Sequence, residues 1–186
     1  MKGPKIMRLP SMAFGAALIA MPALAAPVDD ATALAMTRPR ELVSGGVPAA
    51  TLAALLPPVN AFYGYWTNGS PALLAQAAGA DFTDHTLPAG RPQGLAGLRA
   101  ASKIDLTAVP DLKVTVVQRI VAGDRVVSHL RITGHFTGRF KGRRGTGQMV
   151  DFIATDILRV SAGRITDNWH LEDNLTFLQQ IGVVAK

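Results

Sequence analysis

The chain has 186 residues and no cysteine, which excludes a disulfide framework and a lipid anchor on cysteine. Its formal net charge is +6, from 19 basic and 13 acidic residues, but Lys2, Lys5 and Arg8 precede an N-terminal apolar run. Without these three the balance is 16 basic to 13 acidic residues, a net charge of +3, which excludes the strong positive field typical of nucleic-acid-binding proteins.

The first 25 residues have the features of a secretory signal peptide. Three basic residues precede the apolar run 12–25, which ends in a small-x-small cleavage motif. The run is too short for a comfortable membrane span, and no second long apolar run follows it. We therefore expect removal of residues 1–25, a periplasmic or secreted protein, and no stable membrane insertion afterwards.

The rest of the chain divides into a short leading segment and one domain. Residues 26–49 hold Ala, Pro, Asp and Gly without a clear period, which indicates a linker or a loosely docked arm. Residues 50–186 have a length that suits a single domain with one core.

The first part of this domain is predicted to be helical. A short helix spans 51–56, and Pro57-Pro58 ends it and starts a second helix with one apolar stripe. Ser70-Pro71 supplies the N-cap and the first turn of a third helix, 71–78. The stripe of the second helix consists of Val59, Phe62, Tyr63 and Trp66.

Beyond Pro110 the apolar period changes from helical to alternating, which predicts strands. A run of helices followed by a meander of antiparallel strands predicts an α+β fold with the helices on one face of the sheet. The loop 137–147 is rich in glycine and basic residues, but Phe140 is its only aromatic residue, so it offers no stacking platform for nucleic acid. The remaining predicted elements are an extended segment at 81–87, a helix at 94–102, strands at 112–121, 125–136, 148–160 and 164–172, and a helical turn at 174–180.

Three stretches resemble a known family: ADFTDHTL (80–87), GDRVVSHLRITGHFTGRF (123–140) and DILRVSAGRITDNWHLEDNLTFLQQIG (156–182). They are similar to the SnoaL-like polyketide cyclases and ester cyclases of the nuclear transport factor-like superfamily. The resemblance implies a cone-shaped α+β fold. A curved antiparallel sheet carries the N-terminal helices on its concave face, and a largely apolar pocket lies between them.

The resemblance also implies three site positions. In the polyketide cyclases an aspartate on the last strand is the acid/base of an aldol closure, helped by a histidine on the preceding strand and an asparagine in the extended segment. These positions are His170, Asp156 and Asp84 here, and none has the residue type of the family. His85 is kept as an alternative to Asp84, because only one of two neighbours in an extended segment can face inward.

His170 and Asp156 have the residue types of the family in exchanged positions, histidine for aspartate and aspartate for histidine. This pair can still act together chemically. A carboxylate orients an imidazole and raises its basicity, and such a base could take a proton from carbon beside a carbonyl or activate a water. A three-residue turn, Ser161-Ala162-Gly163, puts Asp156, Asn168 and His170 on one face, whereas a two-residue turn puts Asp156 with Trp169 and separates the pair.

Other polar residues are predicted to be structural. Asp173 has the position of a helix cap, Glu172 is expected to be solvated, and the column His129, Arg131, Thr133, His135 is either a pocket wall or a solvated face. The histidines lie six or more residues apart, so no metal site is predicted, and no cofactor motif is present. The residues expected to line the pocket are Tyr63, Trp66, Phe152 and Trp169.

Three functions are compatible with the sequence. The first is a cofactor-independent cyclase, isomerase or hydrolase acting on a small apolar carbonyl or ester compound, with His170 as base and Asp156 as its orienting partner. The second is a non-catalytic periplasmic protein that binds a small apolar ligand in the same pocket. The third is an interaction domain. We also expect a homodimer formed through the open face of the sheet.

Overall fold

A computed structural model of the protein describes residues 27–185. The predicted signal segment, residues 1–25, lies outside the described residues. In the described part of the chain, no helix is both long enough and apolar enough to cross a membrane.

The described residues form five helices and eight strands, which confirms the predicted α+β class. Strands β4 and β8 have the predicted bounds, β7 is one residue longer at its end, and β3 is shifted by one residue at both ends. The helices are α1 (Asp30–Met36), α2 (Ala49–Asn68), α3 (Pro71–Ala77), α4 (Leu95–Ala108) and α5 (Asn174–Gln180). The strands are β1 (Glu41–Val43), β2 (Ala78–Asp84), β3 (Lys113–Ala122), β4 (Arg125–Phe136), β5 (Arg139–Phe140), β6 (Arg143–Arg144), β7 (Gln148–Ser161) and β8 (Arg164–Glu172).

Six strands form a curved sheet in the order β1-β3-β4-β7-β8-β2. The four central strands are an antiparallel meander, as predicted, but the two edge strands run parallel to their neighbours. The remaining two strands, β5 and β6, form a small hairpin of their own within the predicted basic loop. Helices α2 and α4 pack against the sheet, which confirms the expected layer of helices on one face.

Strand β7 shows how the two faces of the sheet differ. Its even-numbered residues from Val150 to Val160 are buried, whereas Met149, Ile153 and Ile157 are exposed. Successive side chains of a strand point to opposite faces, so the even residues of β7 define the face under the helices. We term this the inner face and the other the outer face.

Helix α2 is a single helix, which corrects the predicted break at Pro57-Pro58. A proline inside a helix leaves the carbonyl four residues earlier without its hydrogen bond. Those carbonyls belong to Ala53 and Ala54, which are both exposed, so water can satisfy them. The helix therefore continues, and it buries Phe62 and the other members of the predicted stripe except Trp66, which is partly buried.

The segment expected to be a linker or arm contains one helix and one strand. Asp29 caps α1 by accepting a hydrogen bond from the Thr32 amide at 2.7 Å. Ala33 of α1 is fully buried, and α1 packs against α2, while β1 adds a strand beside β3. The composition of this segment, with no regular apolar period, did not predict either element.

Candidate functional site

A row of four polar side chains crosses the inner face of the sheet. Arg119 on β3, Ser128 on β4, Asp156 on β7 and His170 on β8 are each paired directly with the next. We term these four residues the polar row. Its first three members are at most 2% exposed, whereas the His170 side chain is 31% exposed. The row therefore runs from the interior to solvent.

The position of His170 in the row depends on a bulge in β8. The β7–β8 hairpin has a two-residue turn, since Ala162 and Gly163 both have positive φ, +47° and +72°. The predicted three-residue turn is therefore wrong, and a two-residue turn alone would put Trp169 opposite Asp156. Thr166, however, has no partner on β7, and this bulge restores the parity. Asp156 and His170 thus face each other, as predicted, for a reason that was not predicted.

The turn between β3 and β4 places Arg119 in the row. From Ala122, paired with Arg125, the register is regular as far as Arg119, which is therefore opposite Ser128 on the inner face. A bulge at Val117 follows, so that Val116 also lies on the inner face. The Arg119 Nε donates to Ser128 Oγ at 3.2 Å.

His170 lies between two carboxylates. Its Nδ1 is 2.8 Å from Asp156 Oδ1 and its Nε2 is 3.1 Å from Glu172 Oε2. Burial lowers the pKa of His170, but the hydrogen bonds and charges of Asp156 and Glu172 outweigh it and raise this pKa to about 10. His170 is therefore an imidazolium at neutral pH that donates to both carboxylates. The prediction that Glu172 is merely solvated is wrong.

A third carboxyl group interacts through its charge with the solvent end of the row. Burial, together with the negative charge of Glu172, raises the pKa of Asp105 on α4 to about 7, although the charges of Arg91 and His170 lower it. Sequence reasoning missed Asp105 because the predicted helix ended at residue 102. The helical spacing of the apolar stripe of α4 continues through residue 105 to Ala108, and this spacing could have predicted the longer helix.

Three buried polar atoms beside the row have no hydrogen-bond partner in the described residues: Tyr63 Oη, Arg119 Nη2 and Asn168 Oδ1. Burial and the charge of Asp156 raise the pKa of Tyr63 well above its ordinary value. Arg119 is fully buried, and burial lowers its pKa. Its Nη1 donates to Asn60 Oδ1 at 2.7 Å, and no carboxylate of the described residues lies within ion-pair distance. A buried guanidinium without a counter-ion is costly.

Asp84 and His85 lie on opposite faces. Asp84 is paired with the inner-face residue Asn168, and its Oδ1 accepts hydrogen bonds from the amide and hydroxyl of Thr86. The Thr86 hydroxyl in turn accepts the backbone N–H of His170 at 2.9 Å. Asp84 thus supports the backbone of the site from the edge strand.

His85 and Trp169 are both on the outer face, so neither lines the space beside the polar row. Their rings stack at 4.3 Å between centroids, and His85 Nε2 is 2.7 Å from Asp167 Oδ1. The guanidinium groups of Arg125 and Arg159 lie 5.5 and 5.9 Å from the Trp169 ring. Trp169 was expected to face the pocket. The bulge at residue 166, which turns His170 inward, turns Trp169 outward.

The other predicted pocket residues are inside the molecule. Tyr63 is fully buried beside the row. Phe152 is on the inner face, 6% exposed, and packs against Phe177 of α5 with 5.2 Å between centroids. Trp66 is partly buried and packs edge-on against Phe62 and Tyr65. Of the four, only Tyr63 is placed next to the row.

The column of polar residues on β4 was predicted to be either a pocket wall or a solvated face. It is a solvated face. His129 contacts Thr155, Arg131 pairs with Asp151, and His135 pairs with Asp111, all on the outer face. Between residues 27 and 185, no group of three His, Cys, Asp or Glu residues is arranged to hold a metal ion.

Two cavities lie away from the polar row. One, of about 350 Å³, is bounded by α2, α3 and α4, and the other, of about 280 Å³, lies between residues 27–28 and 110–113. No member of the polar row lines either cavity, and neither do the four expected pocket residues. The solvent access of the row is therefore at His170 and Glu172, whose side chains are 31% and 25% exposed.

Known proteins of the same fold extend these observations. A protein of Bacillus cereus ATCC 10987 described as a polyketide cyclase is 35% identical, with a TM-score of 0.73, over 81% of this chain and 95% of that one. TsrD of Streptomyces laurentii is 23% identical, with a TM-score of 0.64, over 71% of this chain and 97% of that one. IdmH of Streptomyces antibioticus, described as a polyketide cyclase, is 25% identical, with a TM-score of 0.59, over 67% of this chain and 96% of that one. Comparison with curated proteins gave no match.

The sequence profile that matches the chain is that of the SnoaL-like polyketide cyclases. It covers residues 59–181, from the middle of α2 to the end of α5, and so includes every member of the polar row. Both the expected fold and the expected family are confirmed. The chain belongs to the SnoaL-like polyketide cyclase family.

Proposed function

We propose that the protein enolises a small, largely apolar carbonyl compound at the solvent end of the polar row. The observation that carries this proposal is the arrangement of His170 between Asp156 and Glu172 on the inner face. A protonated imidazole is a strong hydrogen-bond donor toward a carbonyl oxygen that gains negative charge. The carboxylates beside it are the bases.

The proposed step begins when the carbonyl oxygen of the substrate displaces Glu172 from the Nε2–H of His170. The α-proton of the substrate moves to the freed Glu172 carboxylate or to Asp105 beside it, and its electron pair forms the enolate. His170 stabilises the enolate oxygen by hydrogen bonding or by proton donation. A carboxyl group with a pKa of about 7 can both accept and return a proton near neutral pH. His170 is thus the electrophile rather than the base.

Hydrogen exchange of simple ketones tests this proposal. The α-hydrogens of phenylacetone and cyclohexanone should exchange with D₂O faster with the protein than in buffer, as measured by proton NMR. His170→Ala and Glu172→Gln should each lower the rate about 100-fold, within the usual range for acid/base groups. His135→Ala, which removes an outer-face histidine, is the matched control and should leave the rate unchanged. Exchange no faster than in buffer would contradict the proposal.

A non-catalytic binding protein is the second candidate. It is favoured by the low exposure of the row, since Arg119, Ser128 and Asp156 are each at most 2% exposed. A closed interior suits the retention of a ligand better than turnover. Binding of phenylacetone without hydrogen exchange, at an affinity that His170→Ala leaves unchanged, would support this function.

Export is part of the proposal and rests on the signal-like sequence of residues 1–25. Fractionation of bacterial cells that express the full chain should recover a shortened protein in the periplasm or medium. Recovery of the full-length chain in the cytoplasm alone would argue against export.

We further propose a homodimer through the outer face. Apolar side chains are paired there across five strands: Val43, Ile120, Val127, Ile157 and Trp169. Val43, Ile120 and Ile157 are 38–41% exposed, so part of this line of apolar side chains is open to solvent. A second copy of the chain would cover these apolar side chains.

Sedimentation equilibrium tests the dimer. The wild-type protein should be dimeric at micromolar concentration, and Ile157→Asp should make it monomeric, because a charge would be buried in the interface. Ile104→Asp is the control, since Ile104 is also exposed, 52% against 40% for Ile157, but lies on α4. A monomeric wild type, or equal effects of the two substitutions, is incompatible with this interface.

A further inference from the structure

A cavity within the helical layer has the size and the lining of a second binding site. It has a volume of about 350 Å³ and lies between the end of α2, the start of α3 and the middle of α4. We term it the helical cavity. Its lining includes the apolar walls Tyr65, Leu74 and Leu106, the hydroxyl group of Ser102, and the cations Arg99 and Lys103.

The walls of the helical cavity are firmly placed. Tyr65 and Leu74 are 3% and 2% exposed, and the Tyr65 hydroxyl donates to the Leu98 carbonyl at 3.3 Å. Gly69, with φ +74°, ends α2 in the left-handed conformation, and a Cβ there would come within 3.0 Å of Leu106. The volume is at the lower end of the range for small-molecule sites, about 300–1,000 Å³.

The mouth of the helical cavity is positively charged. Arg99 and Lys103 are exposed and lie four residues apart on α4, so their side chains are neighbours on the helix surface. Neither forms an ion pair within residues 27–185. Like charges at this spacing repel each other, and an anion between them would remove the repulsion.

Polar groups extend inward from that mouth. Ser102 is 3% exposed although its side chain borders the cavity. Burial raises the pKa of Tyr65, and the Ser102 hydroxyl and the charge of Arg99 partly offset this, so both act close to the phenol. Asp105, the carboxyl that also affects Tyr65, interacts with Glu172 and His170 at the site on the inner face.

We propose that the helical cavity binds a small monocarboxylic acid with an apolar body. The carboxylate lies between Arg99 and Lys103, and the body packs between Leu74 and Leu106. At roughly 30 Å³ per non-hydrogen atom, the volume of a liquid water, the cavity of about 350 Å³ holds about twelve such atoms. This site is separate from the polar row, and it stands whether or not the protein enolises ketones.

Calorimetric titration with octanoate and 1-octanol tests the proposal, because the two probes share an apolar body and differ in charge. Octanoate should bind at least tenfold more tightly than 1-octanol. The double substitution Arg99→Gln, Lys103→Gln should reduce the affinity for octanoate to that for 1-octanol. Both cationic residues are exposed, so this variant should fold like the wild type, which circular dichroism checks.

Two further variants distinguish binding in the helical cavity from binding at another cationic or apolar surface. Leu106→Trp fills the cavity and should abolish octanoate binding, with ketone exchange at His170 unchanged. Arg139→Gln with Lys141→Gln removes two exposed cations from the β5–β6 hairpin and should leave the affinity for octanoate unchanged. No detectable octanoate binding, binding that survives Leu106→Trp, or equal losses from the two double variants would overturn the proposal.

Discussion

The pKa of His170 should fall from about 10 toward its ordinary value of 6.5 when Asp156 is replaced by Asn. Asn keeps an oxygen that can accept the Nδ1–H, so the geometry survives while the negative charge is lost. Burial then favours the neutral imidazole, with only Glu172 left to oppose it. Titration of the His170 ring proton by NMR measures the change.

The rate of ketone hydrogen exchange should also fall in Asp156→Asn, by about 100-fold at pH 7, because the neutral imidazole is a much weaker donor to the enolate oxygen. Asp151→Asn removes an outer-face carboxylate that pairs with Arg131, and it should change neither the rate nor the titration of His170. A His170 titration that is the same in Asp156→Asn and the wild type would contradict the role assigned to Asp156.

The same pKa values give the stability of the protein a definite pH dependence. The pKa of His170 in the folded state is above its value in the unfolded state, so its stabilisation is complete below pH 6.5 and is lost as the pH rises to about 10. The pKa of Asp105 is raised from 3.8 to about 7, so stability also falls between those values, because the carboxyl is ionised in the unfolded state and still protonated in the folded state. In Asp156→Asn the stabilisation due to His170 should be lost at a lower pH than in the wild type. At pH 7 the free energy of unfolding should be lower by about 2 kcal/mol. Urea unfolding at pH 6, 8 and 10 measures this difference.

Replacing Arg119 by Met should raise the free energy of unfolding and lower ketone exchange at the same time. The guanidinium is fully buried and has no carboxylate partner in the described part of the chain, so its desolvation is not compensated by an ion pair. Replacing buried ionic groups by apolar ones of similar volume is often stabilising, by about 1–4 kcal/mol. We expect about 1 kcal/mol, because Ser128 and Asn60 lose a donor.

The loss of rate has a separate cause. Arg119 fixes the Ser128 hydroxyl, which lies directly opposite Asp156, the carboxylate that accepts the Nδ1–H of His170. We expect about a tenfold loss in exchange for Arg119→Met and a smaller one for Arg119→Lys, which keeps the charge but not the planar fork. Urea unfolding and the ketone assay measure the two effects. If Arg119→Met is less stable than the wild type, Arg119 is structural and the assignment fails.

The sequence predicted the strands well because their alternation is regular. It also predicted the cap of α5, where Asp173 accepts the Thr176 amide at 3.0 Å, which lowers the pKa of Asp173. It did not predict the bulges at Val117 and Thr166, because neither contains the glycine that often marks one. The face of Trp169 follows from the bulge at Thr166, so this residue was misjudged.

Other errors came from contacts between distant parts of the chain. Asp105 and Glu172 are 67 positions apart, from 105 to 172, and only the tertiary fold brings their charges close enough to interact. The proline pair in α2 was predicted to break the helix. Local propensity is overridden there, because the rest of the helix is held by the burial of Phe62 and Tyr63.

The bulge at Thr166 also determines how this chain must be aligned with its relatives. Alignments usually place gaps in loops, but a relative with a regular last strand needs its gap inside that strand, beside residue 166. Without that gap, inward-facing residues of one protein are compared with outward-facing residues of the other. A substitution table for the family would then assign the chemistry of His170 to the column of Trp169. Residue exchanges at this site therefore have meaning only after the strands are matched by the face on which each side chain lies.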